Sequence, residues 1–248
     1  MYHSNAELTK KYIINRLEKW GIDVDAKNGQ ISAYTNRKEN MLHCRSLYLL
    51  RHAETIGTRE KRFMSDLSNN AVLTEQGITD VKLIANKIEK MKFDCIIYSS
   101  INRVKQTAEI VRKSENYCDC YIEIPWMKGI DNAGWEGKNA MELKGQDRED
   151  FYQREILHNI FAKSSKGCSW GEVLVRCIDL VEFLNMHYRD RKILLISQGS
   201  IFIGLKMILQ LEDKLWENYD PESFFGLIDD KTKNYGKLQY IYGENIVI

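Results

Sequence analysis

The 248-residue chain lacks the features that mark a linker, a nucleic-acid footprint or a membrane span. It has only two prolines, Pro125 and Pro221, and no repeats or low-complexity tracts, so no domain linker is evident. The 36 basic and 35 acidic side chains nearly cancel, and a nucleic-acid-binding domain needs a clearly basic face. No apolar run approaches the length of a membrane span. We therefore expect neither a nucleic-acid nor a membrane partner.

The chain has six cysteines and no Cys-x-x-Cys pair. The N-terminus, Met1 to Asn5, is polar and unlike a secretory signal. Both observations predict reduced, packed thiols in a cytoplasmic protein, and not a disulfide or zinc framework. The six are Cys44, Cys95, Cys118, Cys120, Cys168 and Cys177.

Short apolar runs alternate with amphipathic segments along most of the chain. This alternation predicts an α/β fold, a three-layer αβα sandwich around a mostly parallel central sheet. The predicted strands are 46–50, 95–99, 120–124 and 193–197, with a late and possibly antiparallel edge strand at 236–241. The predicted helices are 74–91, 103–114, 171–187 and 201–210, and the charge-rich stretch 138–165 is also expected to be helical.

Residues 1–44 are predicted to form a helical extension before a main domain of residues 45–248. Apolar residues at helical intervals indicate a helix from Asn5 to Trp20, with Gly21 as its stop. A hairpin is expected around Asn28–Gly29. The extension has three open roles: it packs on the main domain, contacts a second subunit or gates a site. Packing is the favoured one.

Arg51-His52-Ala53-Glu54 directly follows the predicted strand at 46–50 and carries the clearest chemistry. In open α/β sheets, ligands bind at the carboxyl ends of the strands. A guanidinium grips phosphate oxygens bidentately. An imidazole beside it can attack phosphorus and carry the group covalently. Glu54 is expected to orient this loop and not to donate a proton.

Three more segments of the chain, taken together with Arg51-His52-Ala53-Glu54, resemble the ordered motifs of one enzyme family. They are Ser99-Ser100-Ile101-Asn102-Arg103-Val104-Lys105-Gln106-Thr107-Ala108, Leu73-Thr74-Glu75-Gln76-Gly77 and Gly134-Trp135-Glu136-Gly137. Together the four segments resemble the histidine phosphatase superfamily, the phosphoglycerate mutase-like enzymes. The resemblance implies a phosphohistidine at His52, a phosphate clamp of Arg51 and Arg103, and a cap at 126–165 that roofs the pocket. It implies no metal and no cofactor.

The chain departs from the family pattern at two positions. The family's last motif, Ser-His-Gly, is Ser197-Gln198-Gly199 here, so Gln198 replaces the second histidine. The position of the usual proton donor, six before Trp135, holds Gly129. Gln198 keeps an N–H donor for phosphate but loses the charge. Asp131 and Glu136 are candidate replacement proton donors. Thr58, where many relatives carry Asn, is a further candidate phosphate ligand.

Two functions are compatible with this pattern. The first is a phosphatase or phosphotransferase acting on a small phosphorylated metabolite, with altered or reduced catalysis. The second is a catalytically degenerate relative that binds a phosphorylated ligand or a protein partner. A glutamine introduced at position 198 to trap a complex is a third explanation of the missing histidine. The sequence predicts no oligomeric state.

Overall fold

The computed structural model describes residues 2–35, 42–64, 71–113, 119–209 and 238–243. The strands in chain order are β1 (Ile22–Val24), β2 (Ile31–Tyr34), β3 (Ser46–Arg51), β4 (Cys95–Ser99), β5 (Tyr121–Ile124), β6 (Lys192–Ser197) and β7 (Leu238–Gly243). The helices are α1 (Tyr2–Lys19), α2 (Ile56–Arg59), α3 (Glu75–Ile88), α4 (Asn102–Lys113), α5 (Gly145–Phe151), α6 (Trp170–His187) and α7 (Gly199–Ile208).

Five strands form the central sheet in the order β5-β4-β6-β3-β7. The first four are parallel, and β7 pairs antiparallel with β3 at the edge. Every residue of β6 is buried, as expected for a parallel strand covered on both faces. The predicted sandwich with a mostly parallel sheet is confirmed, and so is the antiparallel direction of the late edge strand.

Successive side chains of β3 enter two different cores, because neighbours on a strand point to opposite faces. Leu47 and Leu49 pack in a cluster with α1, α6 and α7. Tyr48 and Leu50 pack in a second cluster with α3 and α4. The sheet is therefore the middle of three layers.

α1 contributes its apolar stripe to the first of these cores. Leu17 is fully buried, and Trp20 is 6% exposed. Arg16 forms ion pairs with Asp179 and Glu182 of α6 at 2.6 and 2.7 Å. Gly21 ends the helix at a φ of +73°, a left-handed conformation that glycine adopts without strain. The hairpin of β1 and β2 then follows, so α1 is a packed part of the fold.

The segment after β5, residues 126–165, is less helical than expected. It contains α5, a π-helical turn at Tyr152–Ile156 and two short 3₁₀ turns, joined by irregular chain. An aromatic cluster of Phe63, Trp135 and Phe151 holds it together. The predicted helical stretch at 138–165 is confirmed for Gly145–Phe151 and Tyr152–Ile156, with a 3₁₀ turn at Ala140–Glu142, and the rest of it is irregular. We call residues 126–165 the roof.

The cysteine prediction is corrected at one pair. Cys95 of β4 and Cys120, just before β5, form a disulfide. The two residues precede the paired Ile96 and Tyr121 on neighbouring parallel strands, so strand pairing brings them face to face. Sequence spacing does not reveal that pairing. Free, buried thiols occur at Cys44, Cys168 and Cys177, and Cys118 lies outside the described residues. The cytoplasmic location stays a prediction.

No helix among the described residues is long and apolar enough to cross a bilayer.

Leu17→Ala should test whether α1 belongs to the core. Leu17 is fully buried whereas Leu8, in the same helix, is 64% exposed. We expect Leu17→Ala to lower the free energy of unfolding by about 2–5 kcal/mol. Leu8→Ala should change it by less than about 0.5 kcal/mol. Urea denaturation measures both, and equal small effects would show that α1 is dispensable for stability.

Candidate active site

The carboxyl ends of β3, β4 and β6 meet at one rim of the sheet. Arg51 lies opposite Ser197 in the parallel pairing of β3 with β6, and β4 flanks β6 on its other side. The backbone N–H of His52 donates to the Ser197 carbonyl at 3.0 Å. The hydroxyls of Ser99 and Ser197 are buried here and have no hydrogen-bond partner among the described residues. Such buried polar atoms are ordinarily satisfied by water or a ligand.

His52 is 3% exposed, and one local hydrogen bond sets its tautomer. Its Nδ1 lies 2.8 Å from the carbonyl oxygen of Ala53. A carbonyl only accepts, so Nδ1 carries the proton and Nε2 keeps its lone pair. Burial, followed by the positive charges of Arg103 and Arg51, holds the pKa of His52 well below its usual value. The imidazole is therefore neutral at physiological pH and competent as a nucleophile.

Arg103 reaches the same place from the start of α4 and is 7% exposed. The Thr107 hydroxyl, one turn further on, donates to the Arg103 carbonyl at 2.8 Å and accepts from the Ala53 N–H at 3.1 Å. One hydroxyl thus ties the helix that carries Arg103 to the loop that carries His52. The start of α4 also offers backbone N–H groups to an anion.

Arg51 lies against the first turn of α7. A Cβ at position 199 would be 3.4 Å from Cζ and Nε of Arg51, so Gly199 lets the guanidinium approach the helix start closely. After the larger effect of burial, Arg103 and Arg51 both lower the pKa of His52. The structure therefore brings these three residues together from one strand end, that of β3, and one helix start, that of α4.

The loop after His52 is fixed by its contacts with α3. Glu54 accepts a hydrogen bond from the Thr74 hydroxyl at 2.7 Å, and its carbonyl accepts from the Thr74 N–H at 3.0 Å. Thr74 caps α3 by accepting from the Gly77 N–H at 3.0 Å. A Cβ at Gly77 would lie 2.5 Å from the Glu54 carbonyl oxygen. Glu54 orients the loop in this structure, as the sequence predicted.

Gln198 and Gly129, the two positions that the sequence analysis singled out, contact each other. The Oε1 of Gln198 accepts from the Gly129 N–H at 2.6 Å. That bond fixes the amide orientation, because a backbone N–H requires an oxygen as its partner. A Cβ at position 129 would lie 3.0 Å from Oε1 of Gln198 and 2.3 Å from Oγ of Ser200. The amide of Gln198 thus takes up the space that a side chain at 129 would need.

Side chains of α6 and α7 hold the rest of the loop at 128–131 by hydrogen bonds. Ser200 accepts from the Ile130 N–H at 2.9 Å. Arg176 of α6 donates to the carbonyls of Lys128 and Gly129 at 3.0 and 3.2 Å. A loop held this firmly presents backbone groups at position 129.

The remaining candidates have other contacts in this structure. The Thr58 hydroxyl belongs to a capping box with Thr55 and donates to the Thr55 carbonyl at 2.9 Å. Asp131 accepts from the backbone N–H of Ala133 at 3.1 Å. Glu136 is exposed at the end of the 3₁₀ turn that contains Trp135. Their roles as phosphate ligand or proton donor stay predictions, and these contacts favour structural roles.

Two residues that shape the site were missed from the sequence. Thr107 lies in the matched Gln-Thr-Ala segment, so its position was visible although its bridging hydroxyl was not. Ser200 follows the last motif and has no sequence signal, since its partner Ile130 is 70 positions away.

Comparison with known proteins supports the motif matches. The family model "Histidine phosphatase superfamily (branch 1)" matches residues 47–222. A probable phosphoglycerate mutase GpmB from Photorhabdus laumondii is 26% identical over 155 residues, covering 62% of this chain and 69% of that protein.

Solved structures show the same fold. A putative alpha-ribazole-5'-P phosphatase from Escherichia coli aligns with a TM-score of 0.58 at 20% identity, over 70% of this chain and 84% of that one. A phosphoserine phosphatase from Entamoeba histolytica, in complex with phosphoserine, aligns with a TM-score of 0.57 at 22% identity, over 71% of this chain and 85% of that one.

Arg103→Gln should raise the pKa of His52 toward its ordinary value. Arg103 is the larger of the two cationic influences that disfavour the imidazolium, so removing its charge makes protonation easier. An NMR titration of the His52 ring should show protonation at higher pH in the variant than in the wild type. Arg112→Gln, on the exposed face of the same helix, is the matched control and should leave the titration unchanged. A pKa unmoved in Arg103→Gln would place this guanidinium away from His52.

Proposed function

Since the chain belongs to the histidine phosphatase superfamily, we propose that it transfers the phosphoryl group of a small phosphorylated metabolite to His52. One observation carries the proposal. A neutral imidazole with its proton on Nδ1 presents Nε2 to a rim that also receives two guanidiniums. Family membership supports a phosphoric ester hydrolase or phosphotransferase.

The related proteins favour a small substrate. Their names refer to phosphoglycerate mutase, alpha-ribazole-5'-P phosphatase and phosphoserine phosphatase activities, and one structure contains phosphoserine. All of these substrates are small phosphate esters, so we propose a ligand of this class here. The particular metabolite is left open.

In the proposed reaction, Nε2 of His52 attacks phosphorus, and the bond from phosphorus to the leaving oxygen breaks. The electron pair of that bond leaves with the oxygen. Water then attacks the phosphohistidine, and the nitrogen–phosphorus bond returns its electrons to His52. Arg51 and Arg103 neutralise the phosphoryl oxygens throughout, because phosphoryl transfer depends mainly on positioning and charge stabilisation. We propose no resident metal, since the arginines supply the positive charge.

The contact between Gln198 and Gly129 narrows the proposed substrate range. Oε1 of Gln198 accepts from the Gly129 N–H, and the amide can donate only through Nε2, which carries no full charge. Loss of a preorganised charged donor commonly costs about 3–4 kcal/mol of transition-state stabilisation. Loss of a general acid lowers rates by about 10²–10⁴-fold. We therefore propose substrates with stable leaving anions, such as aryl, acyl or diphosphate esters.

A second candidate function is binding without turnover. The hydrogen bond from the Gly129 N–H to Gln198 favours this second candidate. It engages both positions at which the family resemblance implies catalytic groups. The arginines would still hold phosphate in such a protein. Detection of a covalent phosphohistidine distinguishes the two candidate functions, because only the first one forms it.

Phosphohistidine trapping tests the first candidate directly. The protein is incubated with a labelled aryl phosphate and quenched in alkali, and we expect acid-labile label on the chain. The label should vanish in His52→Ala, because Nε2 is the proposed nucleophile. His187→Ala, at the exposed end of α6, is the control and should keep the label. Phosphate binding without any label would support the binding protein.

Leaving-group dependence tests the proposed lack of a general acid. We expect an acidic-phenol phosphate to turn over about 10²-fold or more faster than a sugar phosphate. Equal rates would reveal a proton donor. Asp131→Asn and Glu136→Gln would then identify it, since only the true donor's variant should slow the sugar phosphate while sparing the aryl ester.

A further inference from the structure

Arg176 of α6 directs its positive charge at the loop that meets Gln198. Its Nη1 donates to the carbonyl of Lys128 at 3.0 Å and to the carbonyl of Gly129 at 3.2 Å. Its third acceptor among the described residues is the sulfur of Cys168, at 3.6 Å, so no carboxylate is bonded to it within that part of the chain. The charge of this guanidinium therefore acts on the peptide groups of the loop.

A continuous series of hydrogen bonds leads from Arg176 to the side chain of Gln198. The Lys128 carbonyl and the Gly129 N–H belong to one conjugated peptide group, and a cation at its oxygen makes its N–H a stronger donor. This N–H donates to Oε1 of Gln198 at 2.6 Å, which is shorter than most N–H···O bonds. The carboxamide of Gln198 is polarised in the same way, so its Nε2 hydrogens become stronger donors. We call the guanidinium, this peptide group and the carboxamide the relay.

Contacts on both sides keep the relay in place. A Cβ at Gly129 would lie 3.0 Å from Oε1 and 3.1 Å from Cβ of Gln198, so the loop and the side chain are closely packed. The thiol of Cys168 donates to the Gly129 carbonyl at 3.5 Å. The Ser200 hydroxyl accepts from the Ile130 N–H at 2.9 Å. Because no member has to reorient before a ligand arrives, the polarisation is available at once.

The relay ends at the rim where Arg51 lies. Gln198 follows Ser197, which is the partner of Arg51 in the parallel pairing of β6 with β3. A Cβ at Gly199, the next residue, would be 3.4 Å from the guanidinium carbon of Arg51. A phosphoryl group bound by Arg51 would therefore lie beside position 198. A histidine at this position could carry a positive charge, whereas glutamine cannot.

We propose that Arg176 is a positioning residue that orients Gln198 and strengthens its Nε2 as a donor to the phosphoryl group. The proposal rests on the proposed function, because the phosphoryl group is that of the proposed substrate. Arg176 acts through the relay, without touching the phosphoryl group and without any transfer of a proton. A charge on α6 thus partly replaces the charge that glutamine lacks.

A double-mutant cycle on the binding of inorganic phosphate tests the relay, and calorimetry measures that binding without turnover. Arg176→Met should weaken phosphate binding by about 3–10-fold, because the charged member of the relay is lost. In a Gln198→Leu background, which lacks the last member, the same substitution should change binding by less than about 1.5-fold. Equal effects of Arg176→Met in the two backgrounds would overturn the proposal.

Two further variants separate the charge of Arg176 from its anchoring of the loop. Arg176→Lys keeps the charge and should bind phosphate within about 2-fold of the wild type, whereas Arg176→Gln keeps only a neutral donor and should be as weak as Arg176→Met. Wild-type binding by Arg176→Gln would mark a purely structural role and refute the relay. Lys166→Met, which removes an exposed cation just before α6, is the matched control and should leave phosphate binding unchanged.

The side-chain amide of Gln198 reports on the relay in the absence of phosphate. In protein carrying isotope-labelled glutamine, its NMR signal is the one that disappears in Gln198→Leu. Its hydrogens should move upfield in Arg176→Met, because they become weaker donors, and should stay in place in Lys166→Met. Amide hydrogens unmoved by Arg176→Met would contradict the proposal.

Failure of the relay and failure of the proposed function give different results. A wild type that binds no phosphate would refute the proposed function and this proposal with it. Phosphate binding without coupling between Arg176 and Gln198 would refute the relay alone. Coupling without a phosphohistidine would support the relay in a binding protein and refute the proposed turnover.

Discussion

The parallel pairing of β3 with β6 is the constraint on which the site depends. It sets Arg51 opposite Ser197, so the next residues, His52 and Gln198, emerge at the same rim. Because side chains alternate along a strand, a slip of one residue would turn the apolar residues of β3 to the wrong faces. The two cores on either side of the sheet therefore enforce the register, and the register places the chemistry. The N–H of His52 donates to Ser197, which adds a direct bond between the two strand ends.

The charges of Arg51 and Arg103 and the tautomer of His52 act together at the carboxyl rim of the sheet. Burial, and after it the charges of Arg103 and Arg51, make an imidazolium unfavourable at His52, and the Ala53 carbonyl fixes the remaining proton on Nδ1. The same cations that keep the imidazole neutral also attract a phosphoryl group. An arriving dianion would offset their repulsion and lie against the lone pair of Nε2. The two arginines thus contribute both to the neutral state of His52, after burial, and to the attraction of a phosphoryl group.

Much of this arrangement was predictable because its signals are local. Strand limits followed from apolar runs, and Arg51, His52 and Arg103 stand at the ends or starts of elements that the sequence defines well. The N-cap at Thr74 was likewise readable from its own segment. Such features depend on neighbours a few positions away, where periodicity and capping rules apply.

What escaped prediction depends on contacts between distant segments. Gln198 meets Gly129 across 69 positions, and Cys95 meets Cys120 only because their strands pair. In the roof, the helix at 145–156 was predicted but the aromatic cluster around Trp135 was not, because such a cluster leaves no periodic stripe in the sequence. The buried Arg154 has a similar origin, since nothing in a charge-rich stretch marks one arginine as enclosed.

The fit between Gln198 and Gly129 also constrains how this protein can change over evolutionary time. An acid at position 129 would collide with Ser200 and Gln198, and a histidine at 198 would have to give the Gly129 N–H a new acceptor. Replacing either residue alone is therefore unfavourable, because it causes a clash or leaves the Gly129 N–H without its acceptor. A change at one of the two positions is therefore coupled to a change at the other, because each of the two residues is fitted to its partner.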